Sequence, residues 1–169
     1  MNKQFIISVV VFLIAIDFMS AGPKDEKIIS AAREIVESVK YCTLISMGED
    51  GYPNARTMDA FKPDKNWVIW MGTHVETRKV EEIRKNSKIS VFYESPGGDG
   101  YVLLKGEGHM VNDPESKRQY FKKGWEEFYP GDRKHFILIR FVPAKLDVVS
   151  YKRGLLGEEK TWAAPSVRF

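Results

Sequence analysis

Between Tyr41 and Tyr151 the chain offers one short segment of β-formers after another, most of them closed by a tight turn signal. Tyr41–Met47 (YCTLISM) runs into Asp50-Gly51, a hairpin pair. Asn54–Phe61 is the expected return strand, Pro63–Asn66 (PDKN) a second turn and Trp67–Met71 (WVIWM) a third strand. Lys88–Glu94 reads as a strand, Ser95–Gly100 (SPGGDG) as a loop and Tyr101–Val111 as a long alternating strand. His135–Val142 and Lys145–Tyr151 are expected as two further strands, separated by Pro143. A parallel pair needs a crossover of about a dozen residues or more. Tight turns therefore point to a small antiparallel barrel with helices on its outside.

Three helices complete the α+β reading. Ile28, Ile29, Ala32, Ile35, Val36 and Val39 recur at helical spacing, so Lys24–Lys40 should be amphipathic. Thr77–Asn86 is a short polar helix that buries Val80 and Ile83. Asp113-Pro114 starts a third, with Asp as cap and Pro in the first turn, and Tyr120, Phe121, Trp125 and Phe128 as its apolar face. The length, 169 residues, suits one domain with an N-terminal segment (1–21), a barrel (24–151) and a C-terminal extension (152–169).

Several functions are excluded. A net charge of +3 gives no ground for a nucleic-acid partner, and the run Lys117-Arg118 to Lys122-Lys123 reads as a solvated face. The single cysteine, Cys42, rules out an intrachain disulfide and reads as an inert core thiol. His74, His109 and His135 form no HxxH or HxH pair, so no metal site is expected. Residues 1–22 carry Lys3, an apolar stretch from Phe5 to Ile16 and then Ser20, Ala21 and Gly22. That is the layout of a signal peptide or, uncleaved, of an N-terminal anchor, and the protein is expected to be exported or anchored.

The chemistry-bearing residues come in three groups: Arg56-Thr57-Met58, then Gly72-Thr73 at the end of a strand, then Thr77-Arg78-Lys79 opening a helix. A helix start presents free amides and partial positive charge, and a hydroxyl, a guanidinium and an ammonium beside it suit a phosphate. Taken alone, the triplet equally reads as a solvated helix end whose charges pair with Glu76, Glu81 and Glu82. No P-loop or GxGxxG is present.

The order of Asp50-Gly51-Tyr52-Pro53-Asn54-Ala55-Arg56-Thr57-Met58, an apolar strand, Thr-Arg-Lys and then Asn-Ser-Lys-Ile-Ser-Val-Phe-Tyr resembles the pyridoxamine 5'-phosphate oxidase-like flavoproteins, most of all their general stress protein subgroup. The resemblance runs from about Ile28 to Val149. It implies a six-stranded antiparallel split β-barrel with flanking helices that forms a homodimer and holds FMN between its subunits. In that picture Arg56, Arg78 and Lys79 reach the phosphate. Backbone groups of Thr57 and Met58 face the ring, Gly72 and Thr73 match the strand end that contacts the flavin, and Thr77 stands with the basic pair at the cofactor-binding helix start. Tyr101 falls near the position of the usual glutamine, and Trp162 near that of a C-terminal aromatic. Trp67, Trp70 and Trp125 read as core or dimer-interface residues. Trp67, Trp70, Phe92 and Tyr93 are more than one small barrel can hide, so the surplus is expected at the dimer interface.

The chain departs from the true oxidases at its end, Ala-Pro-Ser-Val-Arg-Phe, with no histidine after His135 and hence no Arg-x-His substrate clamp. The reading is therefore an FMN-binding, flavin-dependent oxidoreductase-like protein of unspecified substrate. The alternatives are a non-enzymatic flavin-binding stress protein and a haem-binding split barrel using His109 or His135.

Overall fold

Gly51 takes φ 81°, and the hairpin it closes pairs β1 (Cys42–Met47) with β2 (Pro53–Met58), Cys42 facing Met58 across the ladder. The computed structural model describes residues 22–131 and 133–169, so the expected signal peptide or anchor lies outside the described residues. The remaining strands are β3 (Ile69–His74), β4 (Lys88–Glu94), β5 (Gly100–Val111), β6 (Phe136–Ser150) and β7 (Ser166–Arg168). The helices are α1 (Pro23–Ser38), α2 (Arg78–Lys85) and α3 (Pro114–Gln119). Every pairing is antiparallel, in the order β2-β1-β4-β5-β6-β3, with β7 added on β6.

The sheet curls around a core of Leu44, Ile69, Met71, Val91, Leu104, Phe141 and Leu146. Ile28, Ala31, Ala32, Ile35 and Val36 of α1 are buried against it. Arg33 fastens α1 to the 63–67 turn, donating to the Asp64 carbonyl at 2.8 Å and lying 4.4 Å over the Trp67 ring. The barrel does not close. β2 and β3 form its two edges, with no ladder between them among the described residues, and past the end of β2 Phe61 N donates to Trp70 O at 2.8 Å.

The structure corrects three sequence expectations. His135–Val142 and Lys145–Tyr151 are one strand, β6, which runs through Pro143. Proline lacks the amide a ladder needs, and the register shift between Lys105 and Gly106 of β5 supplies the irregularity that tolerates it. Trp67 does not open β3. It ends a turn at φ 63°, its amide on the Asp64 carbonyl at 3.1 Å. The third helix stops at Gln119, and left-handed Gly124 (φ 92°) precedes a single 3-10 turn at Trp125–Glu127, leaving Phe128 exposed. Trp67 and Tyr93 are buried in the core, while Trp70, stacked on Tyr120 at 4.2 Å, and Phe92 stay half-buried. The Asp113 cap accepts from Ser116 N at 2.8 Å.

A Cβ on Gly106 would lie 2.1 Å from the Val142 carbonyl oxygen, a backbone atom that cannot swing away. Gly106→Ala should therefore destabilise the fold by about 2–3 kcal/mol, read by urea denaturation. Unchanged stability would show that the β5–β6 bulge is plastic.

Candidate functional site

α2 spans the opening between the edge strands. Its apolar residues Val80 and Ile83 are buried, and Glu82 beside them is only 5% exposed. On the β2 side, Arg56 donates to Glu82 Oε2 at 2.7 Å and to Ser46 Oγ. Ser46 in turn donates to the same Glu82 oxygen at 2.5 Å, and Asn54 Nδ2 to the other at 2.9 Å. Ser46, Asn54 and Arg56 meet because Ser46–Asn54 and Leu44–Arg56 are ladder partners on one face. On the β3 side, Lys79 Nζ donates to Thr73 Oγ1 at 3.1 Å, and the Thr73 and Thr77 hydroxyls are 3.2 Å apart.

Thr77 stands at the N-cap without capping. Its hydroxyl donates back to the His74 carbonyl at 2.9 Å and makes no bond to the helix amides. The positive end of α2 thus lies beside Lys79 and Arg56 without a side-chain acceptor. Burial pulls the Lys79 ammonium down from its ordinary pKa, and Arg56 lowers it further while Glu82 opposes the shift. Burial pushes Glu82 up, but the bonds from Ser46, Arg56 and Asn54 outweigh it and hold the carboxyl below its ordinary range. Two crowded cations against one carboxylate make a site that gains from an added anion.

The other expected site residues divide. Met58 is buried, while Thr57 points outward and lines a cleft of about 430 Å³ with Thr43, Tyr41 and Phe92. Arg78 is exposed and shares a cleft of about 440 Å³ with Asn54 and Glu82 of the α2 cluster and with Glu49, Asp50, Glu76 and Glu81. Gly72 is explained by packing: a Cβ there would lie 2.4 Å from the Trp125 ring and 2.5 Å from that of Phe136. Tyr101 lies on the outer face against Phe92 at 5.5 Å, and Trp162 is 81% exposed on the C-terminal loop. Among the described residues no contact joins either to the α2 cluster. Glu82 was missed as a site residue. Its signal was its place next to Val80 and Ile83, three residues after Lys79 on the same helix face.

His74 and His135, far apart in sequence, stack with centroids 5.0 Å apart. His135 precedes β6 rather than lying on it, while His109 is on β5, exposed, 3.8 Å from Glu107. Among the described residues no group of three or more metal-ligating side chains converges. Cys42 is buried, which pushes its thiol up to about 11 and leaves it inert.

Residues 27–149 match the family model described as pyridoxamine 5'-phosphate oxidase like. The chain belongs to that family. Among solved structures it is similar to a protein from Clostridium acetobutylicum related to general stress protein 26 of B. subtilis. The identity is 24%, the TM-score 0.69, and 86% of this chain and 96% of that one are covered. General stress protein 26 from Bacillus anthracis is 16% identical with a TM-score of 0.64, covering 85% and 97% of the two chains. A heme binding protein from Mycobacterium smegmatis is 14% identical with a TM-score of 0.61, covering 88% and 59%. At such identities these likenesses bear on the fold, and they agree with an open, mainly antiparallel split barrel. No curated protein matches the sequence.

Because the Glu82 carboxyl is depressed in the folded state, its contribution to stability is complete above about pH 4.5. It disappears as pH falls through the lower folded value. Glu82→Gln should cost about 2–3 kcal/mol at pH 7 and flatten the loss of stability on acidification, measured by urea denaturation across pH. A variant as acid-sensitive as the parent would assign that loss to other carboxylates.

Proposed function

We propose that this protein binds FMN at the α2 cluster and acts as a flavin-dependent oxidoreductase-like protein. The observation that carries the reading is the pair of cations, Lys79 and Arg56, beside an α2 start that no side chain caps. A phosphate dianion there would relieve the crowding that lowers Lys79 and accept from the free end of the helix. Glu82 and Ser46 occupy part of the Arg56 guanidinium, and its remaining donors stay available to an anion. Arg78, amid carboxylates, contributes less than Lys79.

The flavin, when bound, supplies the redox chemistry. This chain's own residues hold the phosphate, present the outward face of β2 at Thr57 to the ring, and keep water from its edges. The outer sheet face carries half-buried Ile45, Phe92, Tyr101, Leu103 and Val149 together with exposed Met47. A second copy packed there would bury that surface and complete the wall of the flavin cleft. In the same reading, residues 1–21 export or anchor the protein. Mass spectrometry of native material should then show a chain lacking about 21 residues, or fractionation a membrane-attached one.

Lys79→Ala should weaken FMN binding about tenfold or more, as expected for the loss of about 1.5–3 kcal/mol from a charge-assisted contact. Arg78→Ala should have a smaller effect. Fluorescence titration with FMN reads both, and unchanged affinity in both variants would remove the phosphate site from α2. The visible spectrum of native protein separates flavin from haem. Sedimentation with and without FMN should show the dimer favoured by the flavin, and a monomer that binds FMN tightly would remove the shared cleft.

A further inference from the structure

A cleft of about 720 Å³ opens where the chain leaves β2, between residues 59–62, the start of β1 and the 122–128 turn. It shares no residue with the cluster formed by Arg56, Lys79 and Glu82. Its walls are aromatic. Phe61 and Trp125 meet edge to face with centroids 5.9 Å apart, and Tyr41 and Phe128 stand 51% and 70% exposed. Rings left in water this way gain from a planar ligand laid against them.

The charges in the cleft are unbalanced. Asp59 is neutralised by Lys122 at 2.7 Å, and its other oxygen accepts from Trp125 Nε1 at 3.3 Å. Lys62 is taken by the end of α1, donating to the Val36 carbonyl at 2.8 Å. Lys40 and Lys123 remain, and neither has an ion-pair partner among the described residues. Lys40 Nζ lies 4.8 Å over the Tyr41 ring, so a charge and an aromatic face are presented together. The Gly124 amide is already bound by Glu126 at 2.7 Å, and no arginine lines the cleft. Two flexible ammoniums without a guanidinium or a nest of amides suit a carboxylate better than a phosphate dianion.

We propose that this cleft binds a planar aromatic carboxylate, its ring against Tyr41, Trp125 and Phe128 and its charge met by Lys40 and Lys123. The site stands apart from the α2 cluster, and it adjoins the cleft lined by Thr57, with which it shares Lys40 and Tyr41.

Calorimetric titration of the full-length protein with naphthoate, naphthalenemethanol and naphthyl phosphate tests it. Naphthoate should bind at least about tenfold tighter than the neutral alcohol and no more weakly than the phosphate ester. Lys40→Gln with Lys123→Gln should abolish that preference, and Phe128→Ala should weaken naphthoate and the alcohol alike. All three side chains are exposed, so the variants test the cleft rather than the fold. Equal binding of acid and alcohol, a clear preference for the phosphate, or full naphthoate binding in the double lysine variant would each overturn the assignment. Naphthoate binding to Lys79→Ala should match that of the parent, because Lys79 reaches Thr73 and lines no part of this cleft, and its loss in that variant would overturn the assignment.

Discussion

A carboxylate that is 5% exposed stays charged only where donors surround it. Glu82 has three, from Ser46 on β1 and from Asn54 and Arg56 on β2, and it carries them on a helix that belongs to neither strand. That one side chain ties α2 to the β2 edge of an open barrel. Val80 and Ile83 bury the helix against the barrel, and Lys79 reaches the β3 edge through Thr73. Charge, hydrogen bonding and burial thus fix the same helix in one place. The place decides where its positive end points.

The consequences spread through the rest of the molecule. α2 lies at the split, where the side chains of Asn54 and Arg56 on β2 bond to its Glu82 and that of Thr73 on β3 to its Lys79. On the opposite side of β3, Gly72 leaves room for Trp125, whose ring also meets Phe61, Phe121 and Phe136. Lys122, expected on a solvated basic face, instead holds the carbonyls of Asp59 and Ala60 and fastens this aromatic turn to the end of β2. The C-terminal extension is drawn into the sheet as well: β7 pairs with β6 and buries Val167, and Phe169 reaches Trp67.

Local signals in the sequence were strong where the physics is local. The Asp50-Gly51 hairpin, the Asp113 cap and the limits of β4 depend on a few neighbouring residues, and the pattern shows them directly. Readings failed where a distant partner decided the outcome. Pro143 reads as a strand end until Gly106 stands opposite it. The aromatic run after Gln119 reads as one helix face until Gly124 turns left-handed and Trp125 finds Gly72. Glu82 reads as one more surface acid beside Glu76 and Glu81, because its donors lie 26 to 36 residues away.

By itself the sequence determined an antiparallel α+β chain, the order of its elements and the residue types that mark the pyridoxamine 5'-phosphate oxidase-like family. Alternation, turn chemistry and capping are properties of adjacent residues, so they survive reading in one dimension. The tertiary structure decided which of those residues meet. It brought Arg56 onto Glu82 and Lys79 onto Thr73 of the facing edge, left Arg78 exposed in a cleft of carboxylates that includes Glu82, and set Tyr101 and Trp162 elsewhere on the surface. Those outcomes depend on where the open edges of the barrel come to lie, and that is fixed only when the whole core has packed.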